Sequence, residues 1–304
     1  MEQVTSHILM IRPSAFGFNP ETADNNTFQN KPEDAPNEVI QKAQKEFDGL
    51  VGLLRYEGID VTVVEDTSTP QKPDAVFPNN WISFHDDGTV VTYPMYSGLR
   101  RQERREDVIE QLSTRFSVRQ REHYEFFEKD DQFLEGTGSI VLDRANKIAY
   151  ACISERTDRE LLEDWCDRMG YTPHTFYAES NGKPIYHTNV MMAIATELAV
   201  VSLECLPNKA ERIALKESLA KDHEVVEITD KQVQSFAGNM LALKNNRGEE
   251  LMVMSEQALN SLNSDQKNEI EKYSRIISAP IPVIEDVGGG SARCMIAEIF
   301  LPLK

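Results

Sequence analysis

One supersecondary pattern recurs along this chain and constrains its fold more than any other feature: two short β-rich runs joined by a polar turn, then a charged helix. In the clearest copy, Trp81 to Phe84 and Val90 to Tyr93 flank Asp86, Asp87 and Gly88, a hairpin turn signal, and a helix is predicted over about residues 101 to 114. Ser139 to Leu142 and Ile148 to Ile153 form the second pair, with a helix through Leu161 and Trp165. Val190 to Ala195 and Leu198 to Leu203 form the third, with a helix over Ala210 to Ala220. Met240 to Lys244 and Leu251 to Met254 form the fourth, with a helical stretch from Glu256 towards Tyr273. A fifth unit combines an N-terminal strand with an amphipathic helix over roughly 37 to 57, where Ala43, Phe47, Leu50, Val51 and Leu54 recur at helical spacing. C-terminal strands around Ile281 and Ile296 close it. A unit of about 50 to 60 residues whose single apolar face cannot be buried alone calls for radial or stacked repetition, and the absence of a Gly-rich phosphate loop disfavours a doubly wound sheet. The expectation is an α/β propeller of ββαβ-like units with pseudo-fivefold symmetry, residues 1–304 forming one domain.

Composition removes whole classes of function. Fifty acidic against 32 basic residues give a formal net charge of -18, which repels phosphate backbones and anionic membranes, so neither nucleic acid nor a membrane is expected as partner. A small ligand is unaffected by that argument. With 40% apolar residues the chain can bury a large core. The first twenty residues, which include Glu2 and Arg12, lack the basic start and apolar run of a signal peptide, and no later stretch reaches membrane-spanning length. Cys152, Cys166, Cys205 and Cys294 fall at irregular spacings without a Cys-x-x-Cys pair, against a disulfide framework or a zinc site. A reduced, cytoplasmic setting with no metal centre is expected.

Unusual polar residues stand just before each hairpin. Asp74, Asn79 and Asn80 precede the first, Glu135 with Gly136 and Gly138 the second, His187 and Asn189 the third, Gly238 and Asn239 the fourth, and Cys294 follows Gly288, Gly289 and Gly290 in the last. In a ring of five units these positions converge on the central axis, bringing together a thiol, an imidazole, a carboxylate and several amides. The glycine triplet lets backbone N–H groups approach a reacting centre beside Cys294 and help stabilise a thiolate, whereas the other three cysteines have the apolar or helical neighbours of core thiols. The run Arg100, Arg101, Glu103, Arg104, Arg105, Glu106 reads either as a solvated helix start or as a fork for a substrate carboxylate, and Arg156 offers a second fork. The turn-rich stretch 21–37 is a surface loop placed to cover a site.

These elements, taken in order as Asp74-Ala75-Val76-Phe77-Pro78-Asn79-Asn80, Glu135-Gly136-Thr137-Gly138, Ser154-Glu155-Arg156-Thr157, His187-Thr188-Asn189, Gly238-Asn239 and Gly288 to Cys294, resemble the guanidino-group-modifying superfamily of arginine deiminases, amidinotransferases and dimethylarginine dimethylaminohydrolases. Within it the chain is most similar to the citrulline-utilisation hydrolases. The resemblance spans nearly the whole chain and implies a five-bladed α/β propeller (pentein). It implies Cys294 as nucleophile, His187 as proton shuttle and Glu135 as the carboxylate that holds substrate nitrogens. Arg100 and Arg156 match grips on the substrate's α-carboxylate, with Arg101 and Arg104 as alternatives to Arg100. Asp74, Phe77, Asn79, Asn80, Asn189 and Asn239 complete the expected substrate contacts.

Where relatives carry an acidic pair after Asp-x-x-Phe this chain has Asn79 and Asn80, and where deiminases carry His-x-Asp it has Asn189. A guanidinium offers only donors and suits carboxylates, whereas an amide both donates and accepts and suits a neutral urea. The expected reaction is cofactor-free hydrolysis of citrulline, a small-molecule substrate, through a covalent Cys294 intermediate. Arginine deimination, arginine dihydrolysis and amidino transfer are the neighbouring readings, a non-catalytic binding protein on the same scaffold is the reading of another class, and a homodimer is one option for assembly.

Overall fold

The computed structural model describes residues 2–304. The turn chemistry acts locally. Gly88 takes φ +93°, and the Asp87 carboxylate accepts from the Thr89 N–H at 2.8 Å, closing the hairpin between Ile82–Phe84 and Thr89–Thr92. Asp143 closes the next hairpin by accepting from the Asn146 N–H at 2.9 Å. Helices begin where the side chains of Asp158, Asn208, Ser255 and Asn263 accept from first-turn N–H groups.

Among the described residues the strands form five three-stranded sheets and one two-stranded pair. All five sheets share a plan: a first strand antiparallel to a second, and the second parallel to a third reached through a helical connection. In chain order they are Ile82–Phe84, Thr89–Thr92 and Gln120–His123; Ile140–Asp143, Ile148–Cys152 and Thr172–Phe176; Met192–Ile194, Leu198–Val201 and Glu224–Glu227; and Leu241–Lys244, Glu250–Ser255 and Arg275–Ala279. The fifth draws on both chain ends. Ala297–Glu298 lies antiparallel to His7–Arg12, in the register Ile8 to Glu298 and Leu9 to Ala297, and His7–Arg12 runs parallel to Asp60–Glu65.

The structure departs from the sequence reading where tertiary contacts interrupt a local pattern. The helix expected over 101–114 is two pieces, Gly98–Arg101 and Glu106–Ser113, because Arg100 and Glu103 turn inward as a buried pair before the amphipathic stretch with Val108, Ile109 and Leu112 begins. The stretch from Glu256 splits into Glu256–Ser261 and Ser264–Glu271, since Asn263 caps a new helix with Gln266 in a capping box. Ile281 is not in a strand. Pro280 and Pro282 have no N–H for a ladder, and Pro282 opens the helix Pro282–Gly288. The third strands Gln120–His123, Thr172–Phe176 and Glu224–Glu227 are largely exposed edges, so no apolar run marks them.

Helix Pro36–Tyr56 buries Val39, Ala43, Phe47, Leu50, Val51 and Leu54 against strands of the fourth and fifth sheets and against Pro282–Gly288. First strands of neighbouring sheets touch: Ala297–Glu298 with Ile82–Phe84, and Met192–Ile194 with both Ile140–Asp143 and Leu241–Lys244. The short turns that precede them meet as well, Gly136–Ser139 packing on both Pro78–Asn80 and Thr188–Val190. Glycine is required there: Gly136 has φ +49°, and a Cβ on it would sit 2.3 Å from the Asn79 carbonyl oxygen. No helix among the described residues is long and apolar enough to cross a membrane.

Leu9 is fully buried in a cluster with Trp81, Phe84, Ala297 and Ile299, so it reports on the closure of the fifth sheet. Leu9→Ala is expected to lower the unfolding free energy by about 2–5 kcal/mol, read as a shift of the urea midpoint at constant slope. A loss below about 0.5 kcal/mol, the range of an ordinary surface site, would show that this contact does not hold the chain ends together.

Candidate active site

Cys294 sits at the end of a tight turn that its sequence builds. Helix Pro282–Gly288 stops at Gly289, φ +64°, and the Cys294 N–H then donates to the Ser291 carbonyl at 3.0 Å. Ser291 is anchored by donating to Glu285 Oε1 at 2.6 Å. The Phe77 ring lies so close to the glycine triplet that a Cβ on Gly288 or Gly290 would come within 2.9 Å of it. The Sγ atom receives two amide donors, Asn239 Nδ2 at 3.2 Å and Asn189 Nδ2 at 3.5 Å, from the turns before the fourth and third sheets. Two N–H donors directed at sulfur favour negative charge there.

His187 and Glu135 form a buried pair, His187 Nε2 to Glu135 Oε2 at 2.7 Å. Burial pushes the imidazole down to about 4, against the pull of Glu135, so His187 is neutral at physiological pH. Burial also works against the Glu135 charge, but Arg156, His187 and Arg100 outweigh it and hold the carboxyl at about 2. An ionised Glu135 accepts only, which fixes the tautomer: Nε2 carries the proton and Nδ1 keeps its lone pair. His187 Nδ1 and Asn80 Nδ2 share the space above Gly138, where a Cβ would lie 2.8 Å and 2.4 Å from them. The other Glu135 oxygen accepts from the Tyr96 N–H at 2.9 Å, so this carboxylate is committed to protein donors.

Arg100 is buried and fully engaged, with a two-pronged contact to Glu103 at 2.9 Å on each prong, Nη1 to Asn80 Oδ1 at 2.7 Å and Nη2 to the Phe77 carbonyl at 3.3 Å. Since a guanidinium can only donate, it sets the orientation of the Asn80 amide and leaves Asn80 Nδ2 without a protein partner. Asp74 accepts from Asn19 Nδ2 at 2.7 Å through one oxygen while Oδ1 has no partner, and burial raises its pKa despite Arg100. Arg156 reaches Glu135 at 3.7 Å, stacks over Tyr186 at 4.6 Å and gives its Nε to Asn25 Oδ1 at 3.0 Å.

Asn25 belongs to the turn-rich 21–37 stretch, which lies over the site. Asn26 Nδ2 donates to the Gly288 carbonyl at 3.3 Å, and Tyr186 Oη donates to the Gly289 carbonyl at 2.8 Å. The small cavity lined by Cys294, His187, Asn80, Arg100 and Arg156 among others measures about 20 Å³, room for one water. On the other side of Asn25 opens a cavity of about 540 Å³ bordered by Glu155, Tyr177, Lys183 and Tyr186.

The structure thus brings Cys294, His187, Glu135, Asp74, Phe77, Asn80, Arg100, Arg156, Asn189 and Asn239 to one place. Asn79 is buried but outside the cavity lining, and neither of its amide atoms has a partner. Arg101 and Arg104 pair with Glu128 at the periphery, so of the three neighbouring arginines Arg100 faces the site. Glu103, Tyr186, Asn25 and Asn19 carry no local signal of their own and reach the site through tertiary packing. His223 is buried against Asp143 at 2.9 Å, away from the site, and Cys152, Cys166 and Cys205 are buried free thiols.

Residues 12–301 match the family model described as N,N dimethylarginine dimethylhydrolase, eukaryotic. No curated protein sequence matches the chain. Among solved structures, the substrate-bound N-terminal domain of ArgZ, an arginine dihydrolase from the ornithine–ammonia cycle in cyanobacteria, is 16% identical with a TM-score of 0.73 over 97% of this chain and 98% of that one. Unliganded AgrE is 17% identical with a TM-score of 0.72, covering 98% of this chain but 40% of its own length, and full-length ArgZ is likewise covered over 41%. A dimethylarginine dimethylaminohydrolase adduct with S-methyl-L-thiocitrulline is 15% identical with a TM-score of 0.66 over 97% of this chain and all of that one. Those likenesses show a shared mixed α/β fold. The matched model, covering residues 12–301, places this chain in the dimethylarginine dimethylhydrolase family, a family of carbon–nitrogen bond hydrolases within the guanidino-group-modifying superfamily.

Proposed function

We propose that the protein hydrolyses the ureido or guanidino carbon of an arginine-like small molecule through a covalent Cys294 intermediate, with citrulline as the preferred substrate. The observation that carries this reading is the Cys294 sulfur beneath two amide donors, in one cavity with a neutral His187 locked by Glu135. In this reading His187 Nδ1 takes the Cys294 proton and the thiolate adds to the ureido carbon. His187 then hands the proton to the departing nitrogen, so that the C–N bond breaks, ammonia leaves and an S-linked thiocarbamate remains. Next His187 accepts a proton from water, the resulting hydroxide adds to the same carbon and the C–S bond breaks. Cys294 recovers its proton, and the released carbamate decomposes to ornithine and carbon dioxide. Each proton passes through one imidazole, and no cofactor is called for.

Asn80 is the basis for the citrulline preference. Its oxygen is taken by Arg100, so the group it offers the ligand is an N–H donor, which suits the C=O of a urea and not a guanidinium. The second reading, arginine as substrate, rests on the free acceptor Asp74 Oδ1 and on the likeness to ArgZ. In either case the substrate's carboxylate would replace Asn25 on Arg156, and the 21–37 stretch would have to lift, because about 20 Å³ does not hold an amino acid. Residues 1–304 would act in the cytoplasm as one catalytic α/β propeller with the five sheets as its blades.

Four measurements test this. Cys294→Ala is expected to abolish turnover with the fold intact by circular dichroism; product formation at the parental rate by the folded variant would sink the covalent mechanism. Arg156→Ala is expected to raise KM about 10- to 150-fold, the equivalent of roughly 1.5–3 kcal/mol for a charge-assisted pair, and an unchanged KM would remove Arg156 from the binding site. Purified protein incubated with citrulline, arginine, agmatine and dimethylarginine, with ammonia and ornithine measured, is expected to consume citrulline fastest. Asn80→Asp should then cut the citrulline preference about 5- to 150-fold, the cost of about 1–3 kcal/mol for a buried polar atom facing the wrong partner. Consumption of arginine but not citrulline by the parent protein would establish the second reading instead.

A further inference from the structure

Arg144 and Arg293 line another cavity, of about 30 Å³, that shares no lining residue with the cavity of Cys294. Both side chains are buried, Arg144 at 2% and Arg293 at 7% exposure. A single carboxylate, Glu298, serves the two: its Oε2 is 2.8 Å from Arg293 Nη2 but 3.9 Å from Arg144 Nη2. Two cations and one anion leave the cavity with one uncompensated positive charge. Arg144 stacks at 4.0 Å over the Phe300 ring and also interacts with the Tyr171 hydroxyl, yet its Nη1 is buried without a hydrogen-bond partner. Gln3, also in the lining, is already spent, with Nε2 on the Leu142 and Ile194 carbonyls and Oε1 on the Arg144 N–H.

A guanidinium does not deprotonate under these conditions, and a buried charge with an idle donor is costly unless an acceptor of opposite charge completes it. The available volume admits a particle about the size of one or two water molecules, which excludes carboxylate metabolites. We propose that this cavity binds one small monovalent anion of chloride size, coordinated by Arg144 Nη1 and held in the field of Arg293. The lining includes Leu142, Met192, Leu241 and Glu298, one from the first strand of each of four sheets, so the ion acts as a structural tie among them.

Thermal unfolding of the full chain in chloride and in gluconate at one ionic strength separates this from general salt effects. The melting temperature should rise by about 2 °C in chloride and saturate with concentration, as a bound ligand requires. Arg144→Met should lose that increment. Bromide-soaked crystals of the unmodified protein provide the arm that needs no variant: an anomalous peak within hydrogen-bond reach of Arg144 Nη1 is expected. Equal melting in both salts with no bromide peak would mean that water fills the cavity, and an increment that persists in Arg144→Met would place the anion elsewhere; either result overturns the proposal.

Discussion

The pairing of the two chain ends in one sheet is the constraint from which the site follows. Ala297–Glu298 finds its ladder partner in His7–Arg12, nearly the whole chain away, and Cys294 lies only three residues before that strand. The local turn at Ser291 shapes the backbone around the sulfur, but its place in the fold is set by an N-terminal strand. The same register sets Ala297–Glu298 against Ile82–Phe84, and so brings the Cys294 turn beside the turn that carries Asn80. Closure is paid for by burying apolar side chains such as Leu9, Ile11 and Ile299 at the seam.

Buried charge is the second organising feature. Arg100, Arg156, Glu103, Glu135 and Asp74 lie together with almost no solvent contact, and removing any one of them would leave a neighbour uncompensated. The benefit of that arrangement is direction. Arg100 turns the Asn80 amide one way and Glu135 selects one tautomer of His187, so both groups are held in one orientation. Asn80 Nδ2 and Asp74 Oδ1, both of residues that line the cavity, are left without a protein partner.

The 21–37 stretch gives the site its closed form. Asn25 presents an oxygen to Arg156, and Asn26 ties the same stretch to the glycine triplet. The Asn25 contact is part-buried and the Asn26 contact buried, and each is a hydrogen bond of modest net strength. The larger cavity beyond Asn25 shares Tyr186 with the lining of the smaller one.

Much of this protein is legible residue by residue. The hairpin at Asp87 and Gly88, the caps at Asp158 and Asn208 and the apolar stripe of Pro36–Tyr56 are written in local sequence, because backbone turns, capping oxygens and helical spacing act over three or four residues. The recurrence of polar residues before each hairpin also marks Cys294, His187 and Glu135 as a set. Edge strands such as Glu224–Glu227 are not legible, since an exposed ladder needs no apolar pattern. Glu103 and Asn25 look like ordinary surface residues in the chain, yet one is buried against Arg100 and the other caps Arg156. Residue types and turn chemistry are properties of the sequence itself. Which carboxylate meets which cation, and which amide atom is left free, was decided only by packing, because burial sets the cost of every unpaired group and long-range contacts determine which partners are within reach.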